Sequence, residues 1–206
     1  VSDLYPRTER TFGDVLLELD GVAGAEKPSS ASLRLHRGEI FGIAGLVGSG
    51  RTELMRALFG LDPVARGEVR VGTYSGQAHP AQRWRQGVGM VSEDRKAEGL
   101  AVELSIADNV TLPRLEGLGL WRFVSPRRQA AACRRWIEQI PIRCRSAADP
   151  IFTLSGGNQQ KVALARLLHA NVDILLLDEP TRGIDVGAKA QIYRLIAELA
   201  LSLIHI

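Results

Sequence analysis

Apolar positions fall into short blocks whose period changes along the chain, and those changes predict the elements. Val15-Leu16-Leu17-Glu18-Leu19 and the alternating Ser32-Leu33-Arg34-Leu35 read as short strands separated by a Gly/Pro/Ser-rich loop, which suits an antiparallel edge. The apolar run Glu39 to Ala44 predicts a strand leading into a glycine-rich loop. Thr52 to Phe59 then has helical spacing, with Gly60 placed to stop it. Gly67 to Val71 and Gly87 to Val91 predict further strands, the second ending at Ser92-Glu93-Asp94-Arg95-Lys96. From Leu104 to about Asp149 the strand pattern gives way to helical segments, including Pro126 to Gln139 with proline at the helix start. A helix opening at Ser155-Gly156-Gly157 and running to about Asn171, a buried strand Ile174 to Leu177 and a last helix from about Gly187 complete the pattern.

Composition narrows this picture only a little. At 206 residues and 45% hydrophobic content the chain supports one sizeable core with an inserted subdomain. A net charge of +3, from 26 basic and 23 acidic residues, is too mild to imply nucleic acid. Arg122, Arg127, Arg128, Arg134, Arg135, Arg143 and Arg145 form a basic cluster that reads first as a solvated helix face. Cys133 and Cys144 lack metal-ligand spacing and read as two reduced thiols. No run reaches the roughly 20 apolar residues that span a bilayer.

Three stretches carry chemistry. Gly45-Leu46-Val47-Gly48-Ser49-Gly50-Arg51-Thr52 fits the phosphate-loop pattern G-x-x-x-x-G-K-[ST], with Arg51 at the lysine position. Its backbone N–H groups suit α/β-phosphates, and the Thr52 hydroxyl suits Mg²⁺. Arg51 keeps the charge but replaces a compact ammonium with a planar fork. Leu154-Ser155-Gly156-Gly157-Asn158 opens a helix whose first N–H groups face an anion; Ser155 also reads as an ordinary N-cap. Asp178 and Glu179 end an apolar strand, where Asp178 suits Mg²⁺ and Glu179 suits polarising a water.

Glycine loop, Ser-Gly-Gly helix start and paired acids, in that order, resemble the nucleotide-binding domain of an ABC transporter. The stretches Ser92 to Lys96 and Asp178 to Lys189 sharpen the resemblance to the second nucleotide-binding half of a bacterial monosaccharide importer ATPase, of the ribose, xylose and galactose kind, from about residue 3 to about residue 200. The resemblance implies an α/β P-loop NTPase with an antiparallel β edge and an inserted α-helical subdomain. Residues 1–14 would be a linker, 15–103 and 151–200 the ATP-binding core, and 104–150 the helical subdomain.

The resemblance also implies ATP and Mg²⁺ as cofactors. Gly45, Gly48, Ser49, Gly50, Arg51 and Thr52 would hold one nucleotide. Ser155, Gly156, Gly157 and Asn158 would close in trans on the γ-phosphate held by a partner half, with Asp185 contacting that half. Asp178, Glu179 and Glu93 would be catalytic, and Thr52, Asp178 and Glu93 would meet the metal. Arg51, Glu93 in place of the usual Gln, and the lack of an aromatic between Phe12 and Phe41 to stack adenine depart from a competent site. Pairing of Glu93 with Arg95 or Lys96 is the alternative for that carboxylate.

The implied partners are an upstream ATPase half of the same chain, membrane permease subunits and, indirectly, an extracytoplasmic sugar-binding protein, at the cytoplasmic face of the inner membrane and without nucleic acid. A soluble regulatory clamp and, from the arginine cluster, a nucleic-acid-acting ATPase are the other readings. The chain is expected to be a fragment truncated at its C-terminus, with 201–206 foreign and His205 without function; His36, His79 and His169 read as surface or packing residues.

Overall fold

The computed structural model describes residues 12–120 and 123–201. The expectations for most of the linker, for Arg122, for His205 and for residues 202–206 lie outside the described residues. The described residues divide into two compact units, 12–90, 172–178 and 196–201 in one and those within 91–171 and 179–195 in the other.

In the first unit, β1 (Val15–Ala23) pairs antiparallel with both β2 (Ala31–His36) and β3 (Arg66–Val71), and β3 pairs with β4 (Tyr74–Ser75). The antiparallel edge is therefore present. Leu17 and Leu19, two apart on β1, point inward at 4% and 2% exposure, as a period of two requires. They meet Leu54, Leu58 and Phe59 of α1 (Arg51–Phe59) in one apolar cluster, where each large side chain contributes about 1.5–3 kcal/mol on burial. Gly60 ends α1 in the left-handed region at φ 85°, and the Gly60 and Leu61 N–H groups bond back to Ala57 and Arg56 carbonyls.

After the short helix α2 (Pro80–Arg85), β5 (Val88–Val91) pairs with β8 (Ile174–Leu177). The Gly87 carbonyl accepts from the N–H groups of Asp173 and Ile174, so the two strands start side by side. Arg83, 1% exposed, donates to the Leu58 and Gly76 carbonyls and to Gln86 Oε1.

One expectation fails here. Glu39 to Ala44 takes no regular strand among the described residues, and Ile40 and Phe41 stand 38% and 40% exposed. An apolar run becomes a strand only when a neighbour completes its hydrogen-bond ladder, and composition says nothing of the neighbour.

The second unit is built on helices. After the π-helical turn Arg95–Gly99 comes α3 (Ile106–Thr111), which starts with a reciprocal Ser105/Asp108 cap. It packs against α4 (Pro126–Gln139) and α5 (Gly156–His169). Gln129 Nε2 ties α4 to α3 through Asp108 Oδ1 and Thr111 Oγ1. α5 is buried nearly all round, with Val162, Ala163, Leu164, Ala165 and Leu167 fully buried, the mark of a helix inside its unit. The helical reading of 104–149 needs one correction. Gly119–Leu120 and Phe123–Val124 form a two-residue hairpin (β6, β7), too short to leave an alternating pattern in the sequence. The last helix, α6, spans Val186–Leu201.

Candidate functional site

The glycine loop leads directly into α1, as expected. Gly50 stands at the N-cap at φ 92°, a left-handed conformation that β-carbon sterics disfavour, so glycine is needed at this point to turn the chain into the helix. Arg51 and Thr52 are the first helical residues, so the N–H groups of a fresh helix start lie beside the Thr52 hydroxyl. The loop tip is open, with Leu46 at 86% and Val47 at 99% exposure. The loop has a neighbour that the sequence did not flag: Lys27 Nζ, from the β1–β2 loop, donates to the Gly48 carbonyl at 2.5 Å.

The same unit contains Asp178, 3% exposed at the end of β8. Glu179 follows at φ 41°, a left-handed conformation unusual for a residue with a β-carbon and typical of functional turns. Thr52 and Asp178 are hard oxygen donors of the kind Mg²⁺ takes. No group of three or more His, Cys, Asp and Glu side chains among the described residues is placed to hold a metal alone. Mg²⁺ on one or two protein ligands, completed by phosphate and water, fits that donor set.

The second helix start is wired more tightly. Ser155 is the N-cap of α5, yet its hydroxyl makes no capping bond to the backbone; Asn158 Nδ2 donates to Ser155 Oγ at 3.0 Å instead. The Asn158 side chain also accepts from the Arg143 N–H at 3.0 Å. Gln159, 4% exposed, donates to the Ile151 and Leu154 carbonyls, and Lys161 Nζ donates to the Pro141 carbonyl at 2.7 Å. Burial, then the neighbouring Arg143, holds the Lys161 ammonium below its ordinary pKa, while Asp185 pulls the other way.

A β-carbon on Gly157 would sit 2.8 Å from Ala188 Cβ, so close approach of the two helices requires that glycine, while one on Gly156 would meet only the movable end of Arg95, at 2.8 Å from Nη2. Asp185 Oδ1 accepts from the Ala188 N–H at 2.9 Å and so caps α6. Ser155, Gly157, Asn158, Lys161, Asp185 and Arg143 together line a cavity of about 190 Å³.

Glu93 meets a partner outside its own segment. Its carboxylate pairs with Arg182, where the alternative reading of this residue had named Arg95 or Lys96. Arg95 instead reaches the Arg182 carbonyl through Nη1 at 3.1 Å. Neither contact was legible in the sequence, because the partners stand 87 to 89 positions apart in the chain.

Residues 29–182 match the family model described as ABC transporter. The chain belongs to the ABC transporter family. It is 46% identical over 202 residues to a ribose import ATP-binding protein of Rubrobacter xylanophilus, covering 97% of this chain and 40% of that protein. To an arabinose import ATP-binding protein of Azospirillum brasilense it is 43% identical, over 97% of this chain and 39% of that protein. The chain thus spans about two-fifths of the length of these relatives. A dimeric ATP-binding cassette in a post-hydrolysis state with ADP and Pi superposes with a TM-score of 0.75 at 24% identity, over 91% of this chain and 84% of that one. The fold is that of an ABC ATPase cassette, a P-loop NTPase. No helix among the described residues of this ABC family chain is long and apolar enough to cross a membrane.

Proposed function

We propose that this chain is part of the ATP-binding subunit of an ABC importer for a monosaccharide, coupling ATP binding and hydrolysis to uptake through a membrane permease. The relatives named for ribose and arabinose import support the substrate class. An extracytoplasmic sugar-binding protein delivers the sugar, and the chain works as a peripheral protein at the cytoplasmic face of the inner membrane. The chain acts as the second of two ATPase halves, paired head to tail with an upstream half.

Two composite sites follow from that pairing. In one, the start of α5 closes on the γ-phosphate of ATP held by the upstream half, with Asp185 meeting that half, and this site hydrolyses. In the other, Gly45, Gly48, Ser49, Gly50, Arg51 and Thr52 hold the nucleotide, Thr52 and Asp178 hold Mg²⁺, and Glu179 orients the water. Arg51 and Glu93 make turnover slow there. The metal, when bound, supplies charge neutralisation across the phosphates.

The observation that carries the proposal is the start of α5. Its N-cap hydroxyl makes no capping bond to the backbone, and it opens onto a cavity lined by Ser155, Gly157, Arg143, Lys161 and Asp185, where two cations and a helix start outweigh one carboxylate and suit an incoming anion. The test compares ATPase rates of the intact protein with its permease. Ser155→Arg is expected to lower the rate about 10²-fold, while Arg51→Ala leaves more than about a third of it. Full activity in Ser155→Arg, or none in Arg51→Ala, would refute the division of labour. Failure to co-purify with a permease would favour a soluble clamp.

A further inference from the structure

The departure at Arg51 leaves the glycine loop without the compact ammonium that its pattern normally carries. The β1–β2 loop brings one from elsewhere. Its turn is closed by the Gly24 N–H on the Pro28 carbonyl at 3.0 Å, which fixes the stem of Lys27. That stem lies against the glycine loop at more than one point. A β-carbon on Gly50 would fall 2.9 Å from Lys27 Cβ and 3.0 Å from Pro28 N, while Lys27 Nζ bonds the Gly48 carbonyl at 2.5 Å.

An ammonium has three donors, and the Gly48 carbonyl takes one. No ion pair joins Lys27 to a carboxylate among the described residues. A lysine charge and the positive end of α1, whose first residue is Arg51, therefore meet at one loop, which favours a phosphate chain there.

We propose that Lys27 is a binding residue of this nucleotide site: its ammonium contacts the phosphates held by the glycine loop and supplies from the β1–β2 loop the point charge that Arg51 does not reproduce. The proposal rests on the reading of Gly45 to Thr52 as a nucleotide cradle. It gives this site a route to nucleotide affinity that is separate from the lysine position of the motif.

The test uses the intact protein and an acyl-phosphate derivative of ATP. A lysine amine within reach of the phosphates attacks the acyl carbon, forms an amide and releases the nucleotide, the ammonium having given up its proton. The tryptic peptide Thr11–Arg34 holds Lys27 as its one lysine, so acylation there reports contact directly. A second readout is the ATP concentration that half-protects the bond after Arg51 from trypsin.

Acylation of Lys27 that excess MgATP suppresses is expected. A rise of about tenfold in the half-protecting concentration is expected in Lys27→Met, with Lys27→Arg between it and the wild type. Lys27 is exposed, so both variants should melt with the wild type. ATP protection of the Arg51 bond with no acylation of Lys27 and no shift in Lys27→Met would overturn the proposal and leave the site standing. Absence of ATP protection in the wild type would remove the site itself, and the proposal with it.

Discussion

The starts of α1 and α5 use one principle, backbone N–H groups at a helix N-terminus, in opposite ways. The first is an open loop. Its apolar tip residues, Leu46 and Val47, are almost fully exposed, and its shape is held by glycine φ angles, the Ser49 N–H on the Leu46 carbonyl at 3.1 Å and the touch of one lysine. The second is a packed start, where Gln159, Gln160 and Lys161 are 4%, 3% and 5% exposed and side chains of Asn158, Gln159 and Lys161 hold carbonyls or N–H groups around it. A loop of the first kind can adapt its shape; a start of the second kind presents a fixed surface. The difference suits the roles proposed above, a cradle for one nucleotide and a lid on another half's ligand.

The largest effect is expected at the packed start. Gly157→Ala places its methyl 2.8 Å from Ala188 Cβ, and both atoms are fixed to helix backbones. Overpacking of that kind costs about 1–3 kcal/mol. Thermal melting should show the loss, and Ala188→Gly in the same protein should return most of it. Gly157→Ala melting with the wild type would mean that this start gives as easily as the glycine loop.

How much of this was legible in sequence divides along the same line. The elements of the site come from local signals: the glycine spacing of 45–52, the Ser-Gly-Gly turn and the apolar block ending in Asp178 all appear where expected, and α4 and β8 match their expected bounds. The wiring between them does not. Glu93 with Arg182, Arg95 against Gly156 and Lys27 on Gly48 join residues far apart in the chain, and charge identity alone offered nearer partners. The strand expected at Glu39 to Ala44 is absent for the same reason, because a ladder is a property of two segments.

The far end of α5 tests whether the packed helix is anchored along its length. Trp136 Nε1, which only donates, bonds His169 Nδ1 at 3.2 Å, so Nε2 carries the ring proton and donates to the Arg114 carbonyl at 2.9 Å. Burial, with the positive charges of Arg114 and Arg135, holds the imidazole below its ordinary pKa, against the Arg114 carbonyl and Glu116. A folded pKa below the unfolded one means that the folded chain binds fewer protons. Stability is then full above about pH 6.5 and falls as the pH drops below it, by at most about 1.4 kcal/mol per pH unit. Urea melts between pH 8 and 5 should show the decline, and His169→Gln should flatten it.

Behind the start of α5, Glu93→Gln removes the carboxylate that pairs with Arg182. Glu93 and Arg182 side chains are 30% and 60% exposed, so solvent screens the pair and its loss should cost under about 1 kcal/mol. A larger drop in the denaturation midpoint would show that the packing around Gly156 depends on this ion pair as well as on close contacts.

The smallest effect is expected at the open loop, and it bears on the comparison as much as the largest. Leu46 and Val47 are 86% and 99% exposed, so Leu46→Ser and Val47→Ser remove little buried apolar area. Changes at such positions stay within about 0.5 kcal/mol, and both variants should melt with the wild type. Their glycine neighbours, not their side chains, set the course of the loop, and so ATP protection of the Arg51 bond should also be unchanged. A clear fall in stability would mean that these side chains pack somewhere after all. The contrast between an adaptable cradle and a prebuilt lid would then lose its first term.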